Sequence, residues 1–456
     1  MKKILLIIYH LLFIISVPAS AQRALSLAAL KDSALHNNIA MRRGQLEIEA
    51  AREQRKEAFT HYFPNVSAMG VAFNANRPMA KMDIDPSEFI TPELGMTLGQ
   101  MLPPEALMSL SQPTSITMMK NGAIAGITAI QPVFAGGQIV LGNKLARLGE
   151  EASQLQLQLS EKDVEAQVEQ YYWQLVSMHE KTRTLDAVDS LLGNIRHDVE
   201  TAVRAGVALN NDLLQVQLRQ NDIQSQRLKL NNGQALVKMF LAQFCGIESE
   251  WEVEYNEDCR LNIDEYSGQT SIISHQSSIN LLPEYQLLEK NVEAKKLQRK
   301  MEVAKNLPSV AVGAGYNYHN LMDNDRHFGM VFATVSVPIT DWWGGTHAIR
   351  RHRLAEQEAQ EQLIDNAELL EIRVQKATND VVEAQSQLDL AQQSMEQAAE
   401  NLRIHRNTYR AGTATMTDLL QAQLLHQQAN DQHTDAFVAL QLARLAYRQA
   451  TGTTER

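Results

Sequence analysis

A thirteen-residue segment occurs twice in this chain, and that duplication limits the folds open to it more than any other feature. Ala205–Gln217 reads AGVALNNDLLQVQ and Ala411–Gln423 reads AGTATMTDLLQAQ; aligning Gly206 with Gly412 makes Ala, Gly, Ala, Asp, Leu, Leu, Gln and Gln identical. A fixed-offset repeat calls for two structurally related halves. In each copy a Gly and a few polar residues interrupt a long helical pattern, and an Asp follows at the start of the next one. Both copies therefore read as the tips of helical hairpins, with Gly206 and Gly412 in the turns.

The flanking sequence repeats on the same scheme. Pro132 precedes Gly206 by 74 positions and Pro338 precedes Gly412 by the same 74. Each half reads as helix, strand, loop, strand, long helix, tip, long helix. The first repeat covers 22–245, with strands at 64–75 and 122–133 and its tip near 204–212. The second covers 284–456, with strands at 308–319 and 329–339 and its tip near 409–418. Pro64 and Pro308 stop helices ahead of strands, and Gly136-Gly137 and Gly344-Gly345 release strands back into helix. Helical patterns run from Gln138 to about Ala202 and from Asp212 to Phe244; the first approaches ~90 Å, more than an ordinary globular domain holds. Between the halves, 246–283 reads as an irregular linker containing Trp251, Tyr255 and Tyr266. The halves differ mainly at 75–120, a long loop in the first. It carries several prolines and, with its flanks, eight of the chain's 17 methionines.

Met1-Lys2-Lys3, the apolar run Ile4–Val17 and Ala19-Ser20-Ala21 have the pattern of a secretory signal peptide over 1–21. Nothing after it reaches the ~20 apolar residues of a membrane-crossing helix, so a membrane role requires β-strands. Cys245 and Cys259 are the only cysteines; in an exported chain they either pair or stay free, and their spacing fits no zinc site. With 42 Lys and Arg against 53 Asp and Glu, the formal charge of -11 argues against a nucleic-acid partner.

From Leu363 through Ala367, Leu370, Val374, Ala377, Val381, Ala384, Leu388, Ala391, Met395 and Ala398 to Leu402, apolar residues alternate steps of four and three. That is a coiled-coil seam, and its alanines allow close helix approach. A soluble fibrous coiled coil is the competing reading, but four short strands set between the helices argue against it. Strands of about ten residues suit a tilted membrane strand, yet four cannot enclose a water-filled pore. A sheet in a bilayer must also have no open edge. Several chains must therefore share one barrel.

Taken in order and spacing, Phe63-Pro64-Asn65-Val66, Leu307-Pro308-Ser309-Val310, Gln131–Gly137 and Tyr409–Leu420 give the chain a resemblance to the TolC-like outer membrane efflux proteins. The resemblance implies an α+β membrane protein. Its homotrimer forms one twelve-stranded barrel in outer membrane lipid, four strands from each chain, continued by a long periplasmic α-helical barrel. It also implies a passive conduit working with a periplasmic adaptor and an inner membrane transporter, and no cofactor. Export of small molecules is the leading expectation; type I protein secretion and metal efflux are the alternatives.

The same resemblance places an acidic ring at the periplasmic constriction on Asp418, and Gln421 where some members carry a second acid. It assigns Tyr409 and Asp212 to a hydroxyl–carboxylate contact between hairpins, and puts Ala414 where a basic latch residue would stand. An Asp after a Gly turn also serves as a helix cap, and the two roles can coexist. No nucleophile elbow, phosphate loop or clustered acid–base pair suggests an enzyme. His347 with His352, and His426 with His433, lack the i, i+4 metal spacing, so no metal site is assigned. The methionines of the first loop are soft ligands for copper(I) or silver(I), but without tight spacing they read better as a loop over a pore mouth.

Overall fold

The computed structural model describes residues 23–77, 80–110, 114–118, 121–247, 251–253, 279–321, 325–339 and 341–452. The expected signal peptide, most of the linker and Cys259 lie outside the described residues. The chain divides into two compact units that cut across the sequence repeats: one of 1–51, 149–292 and 358–456, the other of 52–148 and 293–357.

The second unit is built on one antiparallel sheet. Its strands are β2 (Asn65–Asn74), β5 (Asn121–Ala135), β7 (Ser309–Asn320) and β8 (Asp325–Ser336), in the spatial order β2-β5-β7-β8. The two strands of each repeat are neighbours, and β5 joins the repeats by pairing with β7 from Ala123↔Asn320 to Ala135↔Ser309, with a bulge between Pro132 and Phe134. The outer edges of β2 and β8 have no partner among the described residues. Pro64 and Pro308 sit one residue before their strands, where a missing N–H costs no ladder bond.

Period-two alternation gives this sheet two unlike faces. Val66, Ala68, Ala72, Ala125, Ile127, Ala129, Val312, Ala314, Tyr316, Val331, Ala333 and Val335 share one face by register; it is apolar through its middle, with Gln131 toward the helical end and Asn74, Asn121, Asn320, Asp325 and His327 at the other. Ser67, Thr128, Asn317, His319, Arg326 and Thr334 lie on the other, mixed with Met69, Val71 and Phe332. On that second face a Cβ on Gly313 would stand 2.4 Å from the Phe332 ring, and one on Gly126 would stand 2.2 Å from Asn317 Oδ1, so larger side chains lie across these glycines.

Three expectations need correction here. The strand expected at 329–339 runs from Asp325 to Ser336: Tyr318 donates to Asp325 at 2.8 Å and packs its ring against His327 in a tilted contact at 5.2 Å, drawing polar residues into the ladder. Pro338 then ends pairing early. Gly344 and Gly345 are not at a strand-to-helix bend but inside the helix Asp341–Arg410, and neither has positive φ. Under the 206-residue offset, Trp342 and Trp343 stand where the first repeat has Gly136 and Gly137. Those first-repeat glycines do make the bend, with φ of 60° and 87°. A Cβ on Gly136 would meet the Ala304 carbonyl at 2.3 Å, whereas Gly345 admits the Asn306 side chain. Finally, the expected loop 75–120 contains structure: the hairpin β3 (Ala80–Ile84) with β4 (Thr114–Met118) and two short helices.

The first unit is helical. Chain order gives α1 (Leu27–Asn37), α2 (Ile39–Thr60), α3 (Pro92–Met101), α4 (Pro104–Leu110), α5 (Gln138–Arg204), α6 (Asn210–Cys245), α7 (Pro283–Lys305), α8 (Asp341–Arg410) and α9 (Met416–Thr451). Of these α3 and α4 belong to the sheet unit, and α2, α5, α7 and α8 each contribute a segment to both units. The single helix expected before Pro64 breaks at Asn38, which caps α2 through Ala40 N at 2.7 Å and donates to the Phe244 carbonyl at 2.8 Å.

Two apolar clusters hold the helices. Leu30, Ala34, Val168, Leu175, Leu241 and Cys245 form one, closed by Trp251 and Val253 of the short parallel pair β1 (Arg23–Leu25) with β6 (Trp251–Val253). Burial pushes the Cys245 thiol up to about 11, leaving it protonated at neutral pH. In the same region Glu169, 3% exposed, accepts from Lys31 and Arg448, each at 2.5 Å. The second cluster, Leu185, Leu192, Val199, Val216, Ile223, Met416 and Leu419, lies next to the tips. The seam of α8 is observed: all twelve of its residues from Leu363 to Leu402 are buried or half-buried.

Candidate functional site

Both tips are built by one backbone device. α5 ends at Arg204 and α8 at Arg410, each followed by a left-handed Gly, Gly206 at φ 75° and Gly412 at φ 74°. Val207 N donates to Ala202 O at 3.0 Å, and Thr413 N to Thr408 O at 2.9 Å. Gly206 N to Val203 O and Gly412 N to Tyr409 O complete the same paired pattern at 3.0 and 2.9 Å. This is a Schellman closure, which satisfies the last carbonyls of the first helix and needs φ above zero at one residue. The next helix begins four residues after the Gly in each case, at Asn210 and at Met416.

Helix entry differs between the copies. At the second tip Thr415 is the cap residue: its Oγ1 accepts from Asp418 N at 3.2 Å, and Thr415 N donates back to Asp418 Oδ2 at 3.0 Å. That reciprocal capping box satisfies two donors at the helix start. Asp418 is thus the third helical residue and not the cap itself. Its hydrogen bonds from the Thr415 hydroxyl and backbone hold its pKa below the usual carboxylate value. At the first tip the cap position is Leu209, which has no side-chain acceptor, so Asp212 neither caps nor completes a box.

Asp212 turns instead toward Tyr409. With Asp198, Arg406, Arg410 and the chain around Gly412, these two residues line a cavity of about 750 Å3 between the tips. Burial, then the charges of Asp212 and Asp198, raise the Tyr409 pKa, so its hydroxyl stays a donor. No hydrogen bond joins Tyr409 to Asp212 among the described residues of the single chain. Arg410, one turn before the second tip, reaches Asp198 of α5 at 3.9 Å. Sequence reading missed this pair while noting Ala414 at the position of a basic latch; the available signal was a basic residue in the last turn of α8.

A second unanticipated feature sets the rotation of α9. Arg219 on α6 donates from Nε to Gln423 Oε1 at 3.0 Å and from Nη2 to Gln427 Oε1 at 2.6 Å, and pairs through Nη1 with Asp222. Gln423 is wholly buried and Gln427 nearly so. Charge-assisted bonds from one planar fork to two residues of α9 fix its phase against α6. With that phase Asp418, Gln421, Leu425, Gln428, Gln432 and Asp435 all lie exposed in one stripe. The structure therefore brings Asp418 and Gln421 together on a solvated face, and Tyr409 and Asp212 together in the cavity behind it.

α6 presents the opposite chemistry. Leu214, Leu218, Leu228, Leu236, Met239 and Phe240 are exposed along it, Leu218 by 69% and Leu228 by 71%. α8 carries a further exposed apolar stripe outside its seam: Ile364, Ile372, Val382, Leu390 and Ile404.

Comparison with known proteins gives a consistent result. Residues 281–453 match the family model described as outer membrane efflux protein. No curated protein matches the chain. Among solved structures, CusC shares 14% identity over 96% of this chain and 95% of its own, at a TM-score of 0.76. VceC of Vibrio cholerae shares 15% over 93% of this chain and 96% of its own, at 0.69. The outer membrane channel CmeC of Campylobacter jejuni shares 14% over 93% and 85%, also at 0.69. At such identities these likenesses establish the fold.

Proposed function

We propose that this chain, whose residues 281–453 match the outer membrane efflux protein family, is the outer membrane channel of a tripartite efflux system. In this reading it is a passive homotrimeric conduit for small molecules, engaging a periplasmic adaptor and an inner membrane transporter. The observation that carries the reading is the four-stranded sheet with two unpaired edges and one face apolar through its middle.

Within a bilayer an unpaired strand edge leaves donors and acceptors with no water to satisfy them, so it must be closed by another strand. Closure through copies brings β8 of one chain against β2 of the next. Ten to twelve residues at ~3.4 Å each, tilted by ~45°, rise about 24–29 Å, the height of an outer membrane barrel's apolar band. Aromatic side chains flank that band. Exposed Phe59, Tyr62, Phe63 and Trp343 mark the helical end of the sheet unit, and Tyr316 and Tyr318 lie toward the far end.

The helices supply matching surfaces. The exposed leucines of α6 and the second stripe of α8 are the faces that neighbouring copies cover. The polar stripe of α9 is the face left to water, which sets Asp418 at the constriction and Gln421 one turn further along. Three Asp418 carboxylates around an axis favour cations there. Behind them Tyr409 and Asp212 are positioned to hold the tips together when the entrance narrows, the Tyr hydroxyl donating to the carboxylate.

The test is conductance of the purified protein in planar bilayers, alongside its mass in detergent. A trimer with small, cation-selective conductance is expected, and Asp418→Asn should lower the cation preference. A monomer in the membrane fraction, or a trimer without conductance, overturns the reading.

A further inference from the structure

The segment between β2 and β5 is the largest departure of the first repeat from the second, and the sheet and tips leave it unexplained. It leaves the end of β2 at Asn74 and carries α3 and α4. Thr91 caps α3 by accepting from Leu94 N at 3.4 Å, and Pro92 occupies its first turn. Glu93, Thr97 and Gln100 fall on one side of α3; Leu94, Leu98, Met101 and Leu102 fall on the other. That apolar side is partly open: Leu94 is 47% exposed and Met101 79%, Leu98 is half-buried, and Phe89 just before the helix is 73% exposed. The segment is also acidic, and the carboxylates of Glu88, Glu93 and Glu105 have no cationic partner among the described residues.

The register locates a complement. Asn74 of β2 and Asp325 of β8 lie at the same end of the sheet. They stand on opposite edges, three strand spacings or ~14 Å apart. Beside Asp325, exposed Arg326 has no carboxylate partner among the described residues, and His327 follows it. When copies close the barrel, β8 of one chain meets β2 of the next, so Arg326 and His327 arrive where the neighbour's acidic segment begins. Within one chain the two strand ends stand on opposite edges; closure through copies sets them side by side.

We propose that the 86–105 segment docks on the neighbouring copy, setting its carboxylates against Arg326 and laying the apolar side of α3 on that subunit, so that three segments form a collar at the outer end of the barrel. The proposal rests on the trimeric reading above. Continuity with the β2 edge and the complementary charge favour a second copy over a phosphate-bearing lipid surface, which the three carboxylates repel.

Arg326→Lys supplies an amine for zero-length carbodiimide coupling to carboxylates in the full-length trimer. Covalent dimers and trimers are expected beyond those of the wild type, with coupled peptides joining residue 326 to Glu88, Glu93 or Glu105, and they should be lost in the Glu88→Gln, Glu93→Gln, Glu105→Gln background. A trimer that gives no such coupling overturns the collar and leaves the channel reading standing; absence of a trimer overturns both. In a second measurement, the fluorescence that Leu94→Trp adds to that of the wild type in proteoliposomes should resist quenching by brominated lipid. Strong quenching would assign the apolar side of α3 to the membrane and overturn the collar.

Discussion

The two hairpin tips share a backbone and differ in how the second helix begins. The Schellman closures are superimposable in pattern, with donors and acceptors at equivalent positions and Gly φ of 75° and 74°. Yet one Asp of the repeat is consumed by a capping box with Thr415, while the other, lacking a hydroxyl at Leu209, is left for the cavity with Tyr409. Both copies keep the turn's Gly, whose φ above zero penalises other side chains. The caps diverged because a helix start tolerates water as its partner. One copy thereby stiffens its helix start, and the other leaves a carboxylate lining the cavity beside Tyr409.

Removing the link between the copies should have the largest effect. Arg219→Met leaves Gln423 and Gln427 with buried acceptors unmatched, a loss of roughly 2–3 kcal/mol. Faster hydrogen exchange is expected along α9 from Gln423 to Gln427, with increased leak in bilayers. Gly206→Ala and Gly412→Ala should each cost about 1–2 kcal/mol in local stability, and equally, since a Cβ meets nothing within 4 Å at either Gly and only the left-handed backbone is penalised. Exchange at the last turns of α5 and α8 would read this; unequal losses would mean that the tips carry different loads.

Cap substitutions should separate the copies. Thr415→Ala is expected to cost about 1 kcal/mol at the start of α9, whereas Leu209→Ala should leave the first amides of α6 unchanged. Leu209→Thr should gain a few tenths of a kcal/mol or more by recruiting Asp212 into a box. If the cavity contact matters, that stabilising change should loosen the gate, seen as higher bilayer conductance.

The smallest effect is expected from pH. Asp418 has a folded pKa below its unfolded one, so its contribution is present above the unfolded value and fades as pH falls through the folded value. Exchange at Asp418 and Leu419 should therefore rise, relative to the intrinsic rate, only in strongly acidic buffer.

Much of this was legible in the sequence because it is periodic or obligatory. The four-three alternation from Leu363 to Leu402 fixed one face of α8, Pro64 and Pro308 marked strand starts, and Gly206 and Gly412 marked turns. The beginning of β8 was hidden because Arg326 and His327 have little strand propensity of their own and are held by cross-strand partners far away in sequence. Gly344 and Gly345 misled because a glycine pair signals either a bend or a close approach. The tips exposed the limit most clearly: Asp418 stood out by repetition, and Thr415-x-x-Asp418 is a local capping pattern, while Arg410 and Arg219 act through partners on other helices, which no local pattern discloses.

The open edges of the sheet also govern how such a protein is made. A chain with unpaired rows of N–H and C=O on both β2 and β8 has no stable resting place in hydrocarbon as a monomer. Insertion and subunit association must then occur together, and the yield of folded protein should depend steeply on the concentration of chains awaiting assembly. Before that moment the same edges are templates for indiscriminate strand addition. For a chain with such edges, aggregation of the unassembled form and acquisition of the native state are therefore in direct competition.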